Sequence, residues 1–111
     1  MIKFNSRWGF EVEAEVELGE YNESGTVAVE LWEDDGPYAS LTVNLGKKAL
    51  RDLLGKSENI AEYAFLDTNN FPEGVNVVEN NNLGKFTGKV AFSGYCAYPL
   101  YHMNMDALRN A

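Results

Sequence analysis

The chain has 111 residues, with 17 acidic against 9 basic side chains, one His, one Cys and a formal net charge of −8. A single Cys excludes an internal disulfide, one Cys with one His falls short of the roughly four N or S ligands of a structural zinc site, and the negative charge argues against direct binding to nucleic acid or to an anionic membrane. With 45% apolar and 13% aromatic residues, the composition is that of one ordered domain over residues 1–111 rather than a disordered acidic tail.

At the N-terminus, Lys3, Asn5, Ser6 and Arg7 interrupt any apolar run, so no secretory signal is expected there. No stretch approaches the ~20 apolar residues that a membrane span needs. Together with the unpaired Cys96, this makes the cytoplasm the expected compartment. The charge is unevenly placed. Residues 1–46 hold ten acids and two bases, whereas residues 47–111 hold seven of each, so the whole excess belongs to the N-terminal part.

That part reads as strands. Phe10, Val12, Ala14, Val16 and Leu18 alternate with Glu11, Glu13, Glu15 and Glu17, a period of two that predicts one apolar face and one face of carboxylates. Turn residues over 20–25 lead into a second strand, Thr26 to Glu33, with Val27, Val29 and Leu31 on one side and Ala28, Glu30 and Trp32 on the other. The run Glu33-Asp-Asp-Gly-Pro37 signals a tight turn. A third strand from Tyr38 to Leu45, burying Ala39, Leu41, Val43 and Leu45, completes an antiparallel meander.

The pattern then changes. Leu50, Leu53 and Leu54 predict a helix over Lys47–Leu54 that ends at Gly55. Glu62 to Leu66 reads as a buried strand. Asn70 and Glu73 stand at capping-box spacing with Pro72 between them, which predicts a second helix from about Phe71 to Asn81. Phe86 to His102 alternates again but is broken by Gly88, Gly94 and Pro99, so one or two strands with a bulge or bend are expected. A helical turn from Asp106 closes the chain. The expected fold class is α+β, an antiparallel sheet of about five strands with one or two short helices packed on one face.

The first candidate site is the glutamate row with the carboxylates that follow it: Glu11, Glu13, Glu15, Glu17, Glu30, Glu33, Asp34 and Asp35. Side chains at i and i+2 on a strand lie about 6.6 Å apart, so the row is a regular line of negative charge with a spacing comparable to a nucleic-acid strand. It could occupy a basic nucleic-acid groove on a protein partner. The competing reading is an outer strand face made acidic to prevent edge pairing. Asp34-Asp35-Gly36 lacks the downstream ligands of a calcium loop and reads as a hairpin turn.

A second candidate is the aromatic group Tyr95, Tyr98 and Tyr101, with Phe92 and Trp32. No Lys or Arg lies between Phe92 and Tyr101, which argues against base stacking. Aromatic core and a protein interface, including a homodimer, remain the two readings. Cys96 and His102 on one extended strand would stand roughly 20 Å apart, too far for a nucleophile and its base. No phosphate loop, GxSxG, HExxH or CxxC occurs. Neither a catalytic residue, a metal nor a cofactor is expected, and only a pocket gathering Asp67, Asn69, Asn70 and His102 would favour an enzyme.

The segments Ala64-Phe-Leu-Asp-Thr-Asn-Asn-Phe-Pro72 and Ser93-Gly-Tyr-Cys-Ala-Tyr-Pro-Leu-Tyr101, with Leu31 to Leu45 upstream, resemble a family of small uncharacterised proteins, a domain of unknown function, from phages and conjugative elements of Gram-positive bacteria. The likeness covers about residues 27 to 108 and brings no catalytic residue. It implies a context in which small acidic proteins of mobile elements counter host defence, restriction and CRISPR effectors included, in several cases by imitating the charge of DNA. The resulting expectation is a non-enzymatic inhibitor whose acidic face meets a basic groove. A mobile-element assembly module with an aromatic interface is the alternative.

Overall fold

The computed structural model describes residues 1–56 and 59–111. Among them the strands form two four-stranded antiparallel sheets. The first contains β1 (Ile2–Asn5), β2 (Glu11–Glu20), β3 (Val27–Glu33) and β4 (Gly36–Ser40), in the order β1-β2-β3-β4. In the second, β5 (Thr42–Val43), β6 (Tyr63–Leu66), β7 (Gly84–Ser93) and β8 (Cys96–Met103) lie in the order β5-β6-β8-β7. Three short helices, α1 (Lys47–Leu54), α2 (Gly74–Asn80) and α3 (Met105–Asn110), and a 3-10 turn at Ile60–Glu62 complete the described elements.

The class is α+β as expected, but the single sheet of about five strands is corrected to two sheets. The expected third strand divides at Leu41. The Leu41 N–H donates to the Val29 carbonyl at 2.9 Å, still in the first sheet, while its own carbonyl accepts the Asp67 N–H at 3.0 Å, in line with the second. One residue later the backbone of Thr42 pairs with Leu66. Its hydroxyl stays behind to accept the Val29 N–H at 3.0 Å and to bond the Tyr21 hydroxyl at 2.8 Å. A side-chain oxygen thus replaces the backbone acceptor that β3 loses, so the strand changes sheets without orphaning a buried donor.

Alternation along the second sheet builds two cores. Ala64, Leu66, Tyr101 and Met103 join Val12, Ala14, Val29 and Leu31 of the first sheet, with Val77, Val78 and Leu108 from α2 and α3. Phe65, Tyr98 and Leu100 face the other way, onto Leu50, Leu53 and Leu54 of α1. The second sheet is therefore a middle layer, apolar on both faces, between the first sheet and α1.

Helix α1 spans the predicted residues. The helix predicted from Phe71 begins instead at Gly74, because the capping pair does not form. The Asn70 N–H and side-chain amide donate to Asp67, and Glu73 accepts the Arg7 backbone N–H. Phe71 is thereby left as a buried plug in the first core. The stretch after Phe86 resolves into two strands that pair as a hairpin, with a bulge between Phe86 and Val90 and a turn at Gly94. Gly88 and Gly94 have φ of 84° and 62°, values that a side chain strongly disfavours, which is why these two glycines bend the ladder where they do. Among the described residues no helix is long and apolar enough to cross a membrane.

Candidate functional site

Strand β2 delivers its carboxylates by plain alternation. Val12 and Ala14 are buried and Val16 half-buried, while Glu11, Glu13, Glu15 and Glu17 are exposed. At the ends the predicted apolar face fails, because Phe10, just before the strand, and Leu18, near its end, are exposed. The two halves of β2 have different neighbours. Residues 11–14 pair with β1, and residues 15–20 pair with β3.

This pairing brings the other predicted acids alongside the row. Glu17 faces Glu30 directly, and Glu15 faces Trp32. The hairpin from β3 to β4 then returns Glu33, Asp34 and Asp35 to the same side. Together with Glu13 and Glu15 they line a shallow cavity of about 270 Å³, which also includes Met1 and Trp32. Glu17 and Glu30 line an adjoining hollow with Leu18, Gly19 and Ala28, and Trp32 is common to both. Seven of the eight predicted acids thus gather around one indole, with Glu11 extending the row along β2. Only Glu13 among them forms an ion pair among the described residues, with Lys3 across the β1–β2 ladder at 3.3 Å.

Trp32 is the residue that sequence reasoning misplaced. Grouped above with the tyrosines, it belongs to the centre of the acidic face. The signal was present in its period, since Trp32 shares the outward parity of Glu30 on β3. Glu23, an acid of the same half, has a structural task instead: both of its carboxylate oxygens accept the Lys47 N–H at the start of α1, at 3.2 Å.

The tyrosine group does not form one interface. Tyr98 and Tyr101 are 9% and 2% exposed and lie in different cores, because an odd separation on β8 sends them to opposite faces. Burial, with a further push from the Glu79 carboxylate, holds the Tyr101 hydroxyl pKa above the ordinary phenol range. Only Tyr95 is fully exposed, at the hairpin tip beside Phe92.

Cys96 and His102 lie on the same strand, β8, six residues apart. The thiol is packed against the second core, and the His102 ring stacks on Tyr63 at 4.5 Å and meets Glu62 at 3.2 Å. Asp67 and Asn70 bond one another, and the cavity that contains His102 contains neither of them nor Asn69. Among the described residues no group of three His, Cys, Asp or Glu is arranged to hold a metal ion.

Residues 15–111 match the family described as a domain of unknown function, DUF4313. No curated protein and no solved structure matches the chain.

Proposed function

We propose, for a chain that belongs to the DUF4313 family of domains of unknown function, that the outer face of its first sheet docks into a basic, nucleic-acid-binding groove of a protein partner and obstructs it. The observation that carries this reading is the continuity of the acidic surface. Glu13, Glu15, Glu33, Asp34 and Asp35 meet on one side of Trp32, with Glu17 and Glu30 on the other.

Two physical arguments support it. Glu17 opposite Glu30 is a like-charge cross-strand pair, an arrangement that weakens a sheet and that solubility alone would not require. Exposed charges meeting a basic groove release counterions and accelerate encounter, while an aromatic ring at the centre of a charged patch is the kind of group that anchors protein interfaces. The mechanism is occupation of a nucleic-acid path by shape and charge, with no covalent step. The partner class we propose is a host defence complex that processes nucleic acid, of the restriction or CRISPR kind, and the setting is a phage or conjugative element in a bacterial cytoplasm. This finer reading is supported by the agreement in sign between the resemblance described above and the charge of this face.

Changing Glu11, Glu13, Glu15 and Glu17 together to Lys tests the docking surface. The expected result is that proteins captured from nuclease-treated host lysate at low salt are lost with the variant and weakened for the native chain at high salt. Equal capture by both chains, insensitive to salt, would overturn the reading.

A further inference from the structure

The turn between β1 and β2 carries a second feature, separate from the acidic face. Trp8 and Phe10 are 67% and 54% exposed, and their rings lie nearly parallel with centroids 6.5 Å apart. The Arg7 guanidinium covers the Trp8 ring at 4.5 Å. Beneath them, Arg7, Trp8, Phe10, Tyr38, Asn70 and Glu73 line a cavity of about 280 Å³.

Two oxygens of this cavity are unpaired. The Tyr38 hydroxyl and Glu73 Oε1 are both screened from solvent and have no hydrogen-bond partner among the described residues. The remaining oxygen, Glu73 Oε2, accepts the Arg7 backbone N–H at 3.2 Å, which fixes the carboxylate in place. Tyr38 is equally fixed, by edge-on contacts with Phe4 and Phe71 at 5.6 and 6.2 Å. Burial raises the pKa of its hydroxyl, the negative charges of Glu73 and Glu33 raise it further, and Arg7 opposes them. Buried oxygens without partners are rare and costly, and a pair held rigidly in one cavity calls for a group that satisfies both.

We propose that this cavity binds the ammonium or guanidinium group of a lysine or arginine side chain. Such a group has several N–H donors and no acceptor, so one group can donate to Glu73 Oε1 and to the Tyr38 oxygen. Its charge is balanced by the Glu73 carboxylate, and its alkyl stem and cationic head lie against Trp8 and Phe10, the rings that favour a cation. Arg7, whose guanidinium covers the Trp8 ring and acts on Tyr38, is the resident cation that the incoming group would displace. The inference does not rest on the acidic-face reading, since none of the row acids lines this cavity.

The test is a titration of the full chain with acetyl-arginine amide and acetyl-lysine amide, with acetyl-norleucine amide as the neutral control, followed by nitrogen-edited NMR. The cationic probes should move the Trp8 indole N–H signal saturably while that of Trp32 stays in place. Glu73→Gln, which keeps an acceptor for Arg7 and is read at the Trp8 indole, and Trp8→Ala, at an exposed position and read at the backbone amides of Phe10 and Asn70, should each weaken binding at least tenfold with an otherwise native spectrum. Equal shifts with the norleucine probe, unchanged affinity in both variants, or no saturation would overturn the proposal. Shifts confined to Trp32 and the amides of the glutamate row would mean that the cation meets the acidic face by charge alone, which overturns the cavity and leaves the docking surface standing.

Discussion

Glu17 and Glu30 stand directly opposite one another on β2 and β3, both exposed, on the outer face of the first sheet. Two carboxylates in register repel across a distance at which opposite charges would attract, so this pair is a local cost within an otherwise regular ladder. Replacing Glu30 with Lys should stabilise the chain by roughly 0.2 to 1 kcal/mol in urea denaturation, with the gain shrinking as salt is raised. The same variant should bind a basic partner less well, so stability and affinity should move in opposite directions.

Leu41 is the hinge between the sheets. It is 0% exposed, and its N–H and carbonyl bond to strands on either side of the division. Truncation to Ala should therefore cost about 2 to 5 kcal/mol. Leu18, exposed near the end of β2, supplies the control, and Leu18→Ala should change stability by no more than about 0.5 kcal/mol. Chemical denaturation of the two variants checks both figures.

The half-buried Tyr21 and the buried Tyr101 are expected to lower stability at alkaline pH. Burial raises the hydroxyl pKa of Tyr21 and of Tyr101 above the free value, with hydrogen bonds to Thr42 and Ser40 partly offsetting the rise at Tyr21. The unfolded chain therefore loses these protons first. The stability they contribute is fully present below the unfolded phenol pKa of about 10 and is lost as the pH rises through the folded values. Denaturation midpoints should fall above about pH 10, and the fall should be shallower in a Tyr101→Phe variant. A flat profile across that range would contradict the burial of these hydroxyls.

The three tyrosines of the predicted aromatic interface should separate by position. Tyr98→Ala and Tyr101→Ala should each cost about 3 kcal/mol or more, as large core truncations do, whereas Tyr95→Ala should fall within about 0.5 kcal/mol. Sedimentation of Tyr95→Ala beside the native chain adds the remaining point. An assembly lost on this substitution would restore an aromatic interface at the hairpin tip.

Much of the outer face was legible in the sequence because strand alternation is local. Glu11 to Glu17, the turn at Asp34 and Asp35, and the helix Lys47–Leu54 all follow from spacing alone. The division into two sheets was not legible. It depends on Leu41 and Thr42 bonding to Val29, Leu66 and Asp67, contacts between segments distant in sequence. The same limit explains the helix that starts late. The capping residues Asn70 and Glu73 are drawn off by Asp67 and by the backbone of Arg7, the second of which is 66 residues away. Strand β1 has only four residues, too few for a period to declare itself. The β1–β2 turn cavity was invisible for a related reason, since Tyr38 and Glu73 meet Arg7 and Trp8 only in the folded chain.

Under the proposed function, the acidic face and nucleic acid compete for one basic surface. The most direct measurement is displacement of labelled duplex DNA from a partner captured from nuclease-treated lysate, by the native chain and by the variant with Lys at positions 11, 13, 15 and 17, at low and high salt. Displacement by the native chain at low salt, weaker displacement at high salt, and none by the variant are expected. A ternary complex in which DNA stays bound, or equal displacement by the variant, would contradict it.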